Sequence, residues 1–428
     1  MHKKVYILDY DLVSPLGTGK NEVLKNLKNN FNSSHKITNF NTQGLPIDYA
    51  AEISSPLESL YHHEDENILS AAGFDRKFEL TLASYYLMEE RLKLLMEDVD
   101  PQRAGILFGM GADTPPIEKM EALLKSDITI SEEYLISFLN KINTGKGFIN
   151  RIFNPFNLSS LYIASKLQLG AFQKTILTAC TASTQAIALG YDSIARGETD
   201  LVITGGSDSI INLLAYISFY KLGVLASNSD EPDRACKPFD ITRNGTLAGE
   251  ASGICVLAGE DFIIKKKLNP LIEVMGYGNT LDAYNITAPH PEGIGMKRAF
   301  SMALKNSGIH PSAVDYINLH GTGTRSNDSV EINAIKHTFG EYAKKIPMSS
   351  TKDRHGHAIA SAGIQELAIL CLCMENNFVP CCINLRKPVT NGEVDLVIDA
   401  NKTQNITIGI TCNFSFGGVN TVIVLKNI

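Results

Sequence analysis

The 428-residue sequence has no run of about eighteen consecutive apolar residues, the length a membrane-spanning helix requires. The apolar stretch at 5–8, behind two amino-terminal lysines, is far too short for a signal-peptide core. A soluble, unexported, cytoplasmic protein is the expectation. A basic surplus is missing too. The formal net charge of −7 and a pI near 5.8 argue against a general nucleic-acid binder with its concentrated basic surface, while leaving room for a local basic patch. Paired CxxC knuckles are absent, as is the regular spacing of a disulfide scaffold. The eight cysteines (Cys180, Cys236, Cys255, Cys371, Cys373, Cys381, Cys382 and Cys412) fall mostly in apolar stretches and read as reduced thiols, with no metal site expected. Nor is the composition that of a disordered chain, since 44% is hydrophobic and only 20% charged. The length allows two domain-sized halves with a deep core.

Short β-type runs alternate with helical patterns, at 5–8, 105–108, 175–178, 201–204, 253–257, 271–275, 314–319 and 406–410. This alternation predicts a layered α/β architecture with largely buried sheets. The halves resemble each other in outline. Each has a strand running into a small-residue turn and a helix (176–195 and 347–371), then a glycine-containing turn and an apolar strand (249–257 and 415–425). The boundary is placed near 260–270, where Lys265-Lys266-Lys267 and a proline follow a finished strand, dividing the chain into 1–260 and 261–428. A stretch of weak periodicity, 126–157, reads as an insertion in the first half.

Three segments carry residues able to do chemistry. In Thr178-Ala179-Cys180-Thr181-Ala182-Ser183, a β-branched run meets small residues and then a helical pattern. A cysteine there sits on a sharp strand-to-helix turn, near the positive end of the helix dipole, where a lowered thiol pKa is expected. The alternative is one more buried small hydrophobe. In His320-Gly321-Thr322-Gly323-Thr324, a histidine ends a strand in a turn of small residues, with Asn327, Asp328 and Glu331 following. Ser349-Ser350-Thr351-Lys352-Asp353-Arg354-His355-Gly356-His357 again follows a strand and opens a small-residue helix containing Glu366. Alone, the second is a structural histidine and the third a polar loop. Together, all at strand ends in small, hydroxylated settings, they read as an acyl-transfer site.

At this point the sequence resembles the elongating β-ketoacyl-[acyl carrier protein] synthases of the thiolase superfamily, whose motifs run TACxxS, ExHGTxT, STKxxxGH and SFGFGGTN. Here the strings are TACTAS, NLHGTGT, STKDRHGH and NFSFGGVN. VSPLG at 13–17, CKPFD at 236–240, Gly249-Glu250 and DAYNITAP at 282–289 extend the match over essentially the whole chain. The resemblance implies a thiolase-like α/β fold, duplicated βαβαβαββ halves in a layered α-β-α-β-α arrangement. It implies decarboxylative Claisen condensation in fatty-acid, polyketide or aryl-polyene-type synthesis, with Cys180 as nucleophile and His320 and His357 as the active-site histidines. Lys352 and Glu366 are implied as supports, beside Asp328 and Glu331. Phe414 is implied as the aromatic gate whose backbone N–H joins that of Cys180 in an oxyanion hole, Thr322 and Thr324 as pantetheine-binding, and Ala112 as lining the acyl tunnel. No metal or other cofactor is implied, the substrates being carried on the phosphopantetheine of an acyl carrier protein. That carrier is expected to dock near Arg76 and Lys77. A homodimer is expected, or a heterodimer with a ketosynthase-like subunit.

Departures from the motifs mark a divergent member. Leu8-Asp9-Tyr10-Asp11 replaces the usual TGLG, Ser415 a gate-loop glycine, Cys412 a frequent asparagine and Asn285 a common histidine; Thr246 and Ala248 replace larger apolar residues. Two other readings compete. A chain-length-determining partner subunit would usually lack the nucleophile retained here. A thiolase would use a second cysteine, for which Cys412 is the candidate.

Overall fold

The computed structural model describes residues 3–71, 75–97, 99–112, 156–227 and 231–428. Most of the 126–157 insertion, residues 126–155, therefore lies outside the described residues. Every strand-like run in the sequence overlaps a strand, though 175–178, 271–275, 314–319 and 406–410 do so only in part. The first half holds β1 (Val5–Ser14), β2 (Ala104–Met110), β3 (Gln173–Ile176), β4 (Leu201–Ser209) and β5 (Glu250–Gly259). The second holds β6 (Ile272–Leu281), β7 (Tyr316–Asn318), β8 (Pro347–Ser349), β9 (Asp395–Leu396), β10 (Ile408–Phe414) and β11 (Val419–Asn427). Strands β2, β4, β5 and β10 are buried at every residue, the signature of a sheet covered on both faces.

Strand order is β3-β2-β4-β5-β1 in the first half and β8-β7-β10-β11-β6 in the second, with β9 added beside β8. The sense of pairing repeats as well. β2 is parallel to β3 and β4, and β7 to β8 and β10; the two remaining pairings in each half are antiparallel. The halves thus repeat strand for strand, as their common outline suggested. Val5, Tyr6 and Ile7 pair with Val274, Glu273 and Ile272, which joins the half-sheets.

Helices α1 (Arg76–Tyr86) and α2 (Leu158–Leu167) cover the outer face of the first half-sheet. Helices α5 (Ile294–Ser307) and α6 (Arg325–Phe339) cover the second half, and α4 (Leu213–Lys221) follows β4. Between the half-sheets lie α3 (Ala182–Ala195) and α7 (Ala362–Asn376), packed on each other and each touching both halves. The result is five layers. All of α7 from 362 to 374 is buried, and each of its leucines and isoleucines contributes about 1.5–3 kcal/mol. This explains an observation the sequence reading passed over: Ile359–Asn376 is apolar and long enough to cross a bilayer, yet 89% of it is buried inside the protein.

Small residues let the central helices approach this closely. A side-chain carbon on Gly109 would lie 2.4 Å from the Ser183 nitrogen, and one on Gly363 only 2.0 Å from Thr184 Oγ1. Residues 8–11, which stand where the family string has TGLG, run as strand inside β1 and are braced by charge. Arg91 reaches Asp9 at 2.7 Å and Asp11 at 2.6 Å, and the Lys20 amide donates to Asp11 at 2.7 Å.

Candidate active site

Each central helix starts at a strained elbow. Ala179 (φ 48°) and Ile359 (φ 41°) both occupy the left-handed region without being glycine, and each begins the 3₁₀ turn that leads into α3 or α7. Such conformations cost on the order of 1–3 kcal/mol and persist where surrounding packing imposes them. The first elbow presents Cys180, and the second follows His357 by two residues. His320 lies two residues beyond β7, so all three groups meet at the carboxyl ends of parallel strands.

They converge as the sequence implied. His357 Nε2 lies 3.1 Å from Cys180 Sγ, and the His320 and His357 rings stand 5.3 Å apart at 82°. The three side chains line a cavity of about 520 Å³ together with Thr322, Thr324 and Phe416. Thr322 and Thr324 share a 2.9 Å hydroxyl contact on the cavity wall, and the Thr324 side chain caps α6.

Behind the histidines, Lys352 and Glu366 form a buried ion pair, and Lys352 Nζ also donates to the His320 carbonyl at 2.5 Å. Glu331 accepts the amides of His320 (2.7 Å) and Gly321 (2.9 Å), which fixes the turn carrying the histidine. Asp328 accepts the Phe239 amide at 2.8 Å and lies 3.4 Å from Arg243 Nε. These carboxylates hold the frame and stay out of the cavity lining.

Electrostatics correct one expectation. Burial pushes the Cys180 thiol up to about 12, outweighing the nearby Lys352 charge and the hydrogen bonds to sulfur from the amides of Cys180 and Phe416. The resting group is a thiol, not a preformed thiolate. Burial first and the Lys352 charge second hold His320 and His357 well below the usual imidazole range, with His357 adding to the effect on His320 and His355 to that on His357, so both are neutral at pH 7.

Three further expectations change. The second amide facing the sulfur is that of Phe416, not Phe414. Phe414 ends β10 in register with Asn420, and its buried ring meets His320 edge-on at 5.9 Å. Phe416 stacks on Phe219 at 6.5 Å and is the aromatic of the loop. The motif's two phenylalanines are two residues apart, and only the path of the loop decides between them. Ala112 is exposed just beyond β2, its carbonyl bound by Lys77 Nζ at 3.1 Å, and it does not line this cavity. Arg76 and Lys77 are not free docking residues either. Arg76 pairs with Glu250 at 2.7 Å and Glu79 at 2.8 Å, while Lys77 is buried.

Sequence reasoning missed Asn413, a fully buried neighbour of Glu366 and His320. Its only sequence signal was a motif mismatch, asparagine where the family string has serine. Cys412 lies outside the cavity lining, its thiol turned to Glu331 and to the Asn318 carbonyl, each at 3.5 Å. It is not placed to serve as a second reactive cysteine. The donor atoms of Cys180, His320 and His357 lie within 4.8 Å of one another, a set of zinc-binding type. The Lys352 ammonium, 3.4 Å from His320 Nδ1, opposes a cation there.

Comparison with known proteins agrees with this geometry. Residues 2–261 match the beta-ketoacyl synthase N-terminal domain and residues 271–386 its C-terminal domain. The 3-oxoacyl-[acyl-carrier-protein] synthase 2 of Staphylococcus aureus (strain N315) is 30% identical over 428 residues, covering 99% of this chain and 98% of the relative. A chain of the ishigamide ketosynthase/chain length factor superposes with a TM-score of 0.84 at 26% identity, covering 100% of both chains. A chain of AntDE:AntF, a type II PKS acyl-carrier protein in complex with its ketosynthase, gives a TM-score of 0.83 at 26% identity, again over 100% of both chains. The chain with this buried Cys-His-His site belongs to the β-ketoacyl synthase family and is a condensing enzyme of the acyltransferase class.

Proposed function

We propose that this enzyme joins a Cys180-bound acyl group to a malonyl unit delivered on an acyl carrier protein, forming a 3-oxoacyl thioester. The observation that carries the reading is the 3.1 Å approach of a buried neutral histidine to a thiol served by two backbone amides.

In the first stage the Cys180 sulfur attacks the carrier thioester carbonyl. The new S–C bond forms, the carrier S–C bond breaks, and the thiol proton ends on the departing carrier thiolate. The amides of Cys180 and Phe416 are the donors for the oxyanion. In the second stage the malonyl C–C bond to the carboxylate breaks. Carbon dioxide leaves, and the electron pair passes into an enolate whose oxygen faces the two histidines. His357 Nδ1 has no partner, so hydrogen on Nε2 leaves only an unfilled lone pair instead of a stranded N–H. The enolate carbon then attacks the Cys180 thioester, the sulfur leaves, and the thiol is restored with a proton from solvent.

The carrier's phosphopantetheine arm fits the cavity wall that carries Thr322 and Thr324, where the Thr246 hydroxyl is buried and unpartnered. A second subunit, either another copy or a ketosynthase-like chain, is proposed at β3. This strand ends the sheet, and Leu177 and Leu161 stand about half exposed beside it.

Mass spectrometry of the protein after incubation with acyl-carrier substrates tests the reading. Wild type is expected to gain one acyl group at Cys180 and to release a 3-oxoacyl product once malonyl-carrier is added. Cys180→Ala is expected to take no acyl group while still decarboxylating malonyl-carrier. Acylation at another residue, or none in wild type, would refute it.

A further inference from the structure

Asn413 occupies the join between the two halves of the site. It lies on β10, fully buried, and its amide uses both ends. Nδ2 lies 2.6 Å from Glu366 Oε2 and 3.2 Å from His320 Nδ1, and Oδ1 receives the Thr184 hydroxyl at 2.5 Å. The reverse orientation would set the amide oxygen against the Glu366 carboxylate at hydrogen-bond distance, so the network fixes which end faces His320. The other group near His320 Nδ1 is the Lys352 ammonium at 3.4 Å, which is also only a donor.

Two donors therefore face His320 Nδ1, and that nitrogen must offer a lone pair. We propose that Asn413 is a positioning residue that fixes His320 as the neutral tautomer carrying hydrogen on Nε2, aimed at the cavity as an enolate donor. Thr184 belongs to the first helical turn after Cys180, and Glu366 to the helix that follows His357. Through Asn413 the nucleophile helix, the Lys352–Glu366 pair and His320 are locked into one hydrogen-bonded unit. The serine of the family string has a single hydroxyl donor and could not serve Glu366 and His320 together. This inference rests on the decarboxylative reading above.

The wild-type enzyme labelled with ¹⁵N-histidine gives the first test, with the His320 resonance assigned through His320→Gln. Two-bond ¹H–¹⁵N correlations are expected to show His320 protonated at Nε2 and bare at Nδ1. A signal for the Nδ1–H tautomer would overturn the proposal. The second test is the near-isosteric Asn413→Asp, in which one proton is held between the new carboxyl and Glu366 and the lone pairs left toward Nδ1 accept from it, favouring the opposite tautomer. Loss of one aligned donor is expected to lower malonyl decarboxylation by ~100-fold while single-turnover acylation of Cys180 falls less than ~10-fold. An unchanged tautomer, or equal losses in both steps, would overturn it. If the variant does not fold, the wild-type spectrum decides alone. A wild type that neither takes an acyl group nor releases carbon dioxide would sink the condensing reading instead, while the spectrum still tests the tautomer.

Discussion

Replacing Lys352 with methionine removes a cation from a site where neither partner touches water, since Lys352 and Glu366 are 0% and 1% exposed. Methionine fills much of the volume, so the loss is mainly electrostatic. Glu366 keeps the 2.6 Å bond from Asn413 but becomes an unpaired buried carboxylate, a change of about 3–5 kcal/mol. At about 2.1 cal/mol/K per residue, 428 residues unfold with an entropy near 0.9 kcal/mol/K, so Tm should fall by ~3–6 °C. Burial already holds the Glu366 carboxyl above its ordinary value even with Lys352 present, and losing the cation raises it further. A raised carboxyl keeps its proton in the folded state after the unfolded chain has released it. Stability of the variant is therefore greatest near and below the ordinary carboxylate range and falls as pH rises above it, by up to about 1.4 kcal/mol per unit. Thermal unfolding of wild type, Lys352→Met, Glu366→Gln and the double variant at pH 5.5, 7 and 8.5 measures this. The double variant should recover most of the loss and show little of the pH slope. A single-variant loss under ~1 kcal/mol, or a double variant no better than the single, would refute the argument.

Other outcomes follow from the same geometry. His320→Ala and His357→Ala should each lower malonyl decarboxylation by ~10²–10³-fold and acylation of Cys180 by less, read by carbon dioxide release and single-turnover acylation. Because burial holds the Cys180 thiol up to about 12, its alkylation by iodoacetamide should accelerate about tenfold per unit between pH 7 and 10; a plateau below pH 8 would mean a preformed thiolate. Arg76→Ala should destabilise by on the order of 2–3 kcal/mol, since Glu250 is 0% exposed and loses its cation while Arg76 itself is a quarter exposed. Carrier-protein KM measured on the folded fraction should stay near wild type, and a steep rise would return Arg76 to the docking surface.

The fold was legible because its strands are buried on both faces and appear as short apolar runs between turns. β4 and β5 show no exposed residue along their length, and sequence marked both. Cys180, His320 and His357 were legible because small residues surround each, as they must where a helix start and two strand ends crowd together. The misplaced residues share another property: their positions depend on the path of the backbone between elements. Phe414 and Phe416 are chemically identical and two residues apart, yet one ends β10 and the other turns its amide to the sulfur. Ala112 lies just beyond β2, yet it is exposed and outside the cavity lining. Arg76 and Lys77 open a helix whose first turn is folded against buried Glu250 and the end of β2, which a run of basic residues cannot reveal.

The expected low thiol pKa failed for a physical reason that bears on mechanism. A helix start favours a thiolate through a partial charge spread over several amides, a small effect beside complete desolvation of a full charge. The amides of Cys180 and Phe416 reach the Cys180 sulfur without offsetting its burial, and Lys352 is engaged with Glu366 and the His320 carbonyl. The same desolvation keeps both histidines neutral, so the site holds an uncharged nucleophile and two uncharged donors backed by one internally neutral ion pair. Charge appears only as a thioester oxygen becomes anionic, and the groups aimed at it are already in place. A cationic histidine in the resting state would bind the malonyl carboxylate and resist its loss as carbon dioxide. Neutral histidines avoid that ground-state attraction and interact most strongly with the enolate that decarboxylation creates.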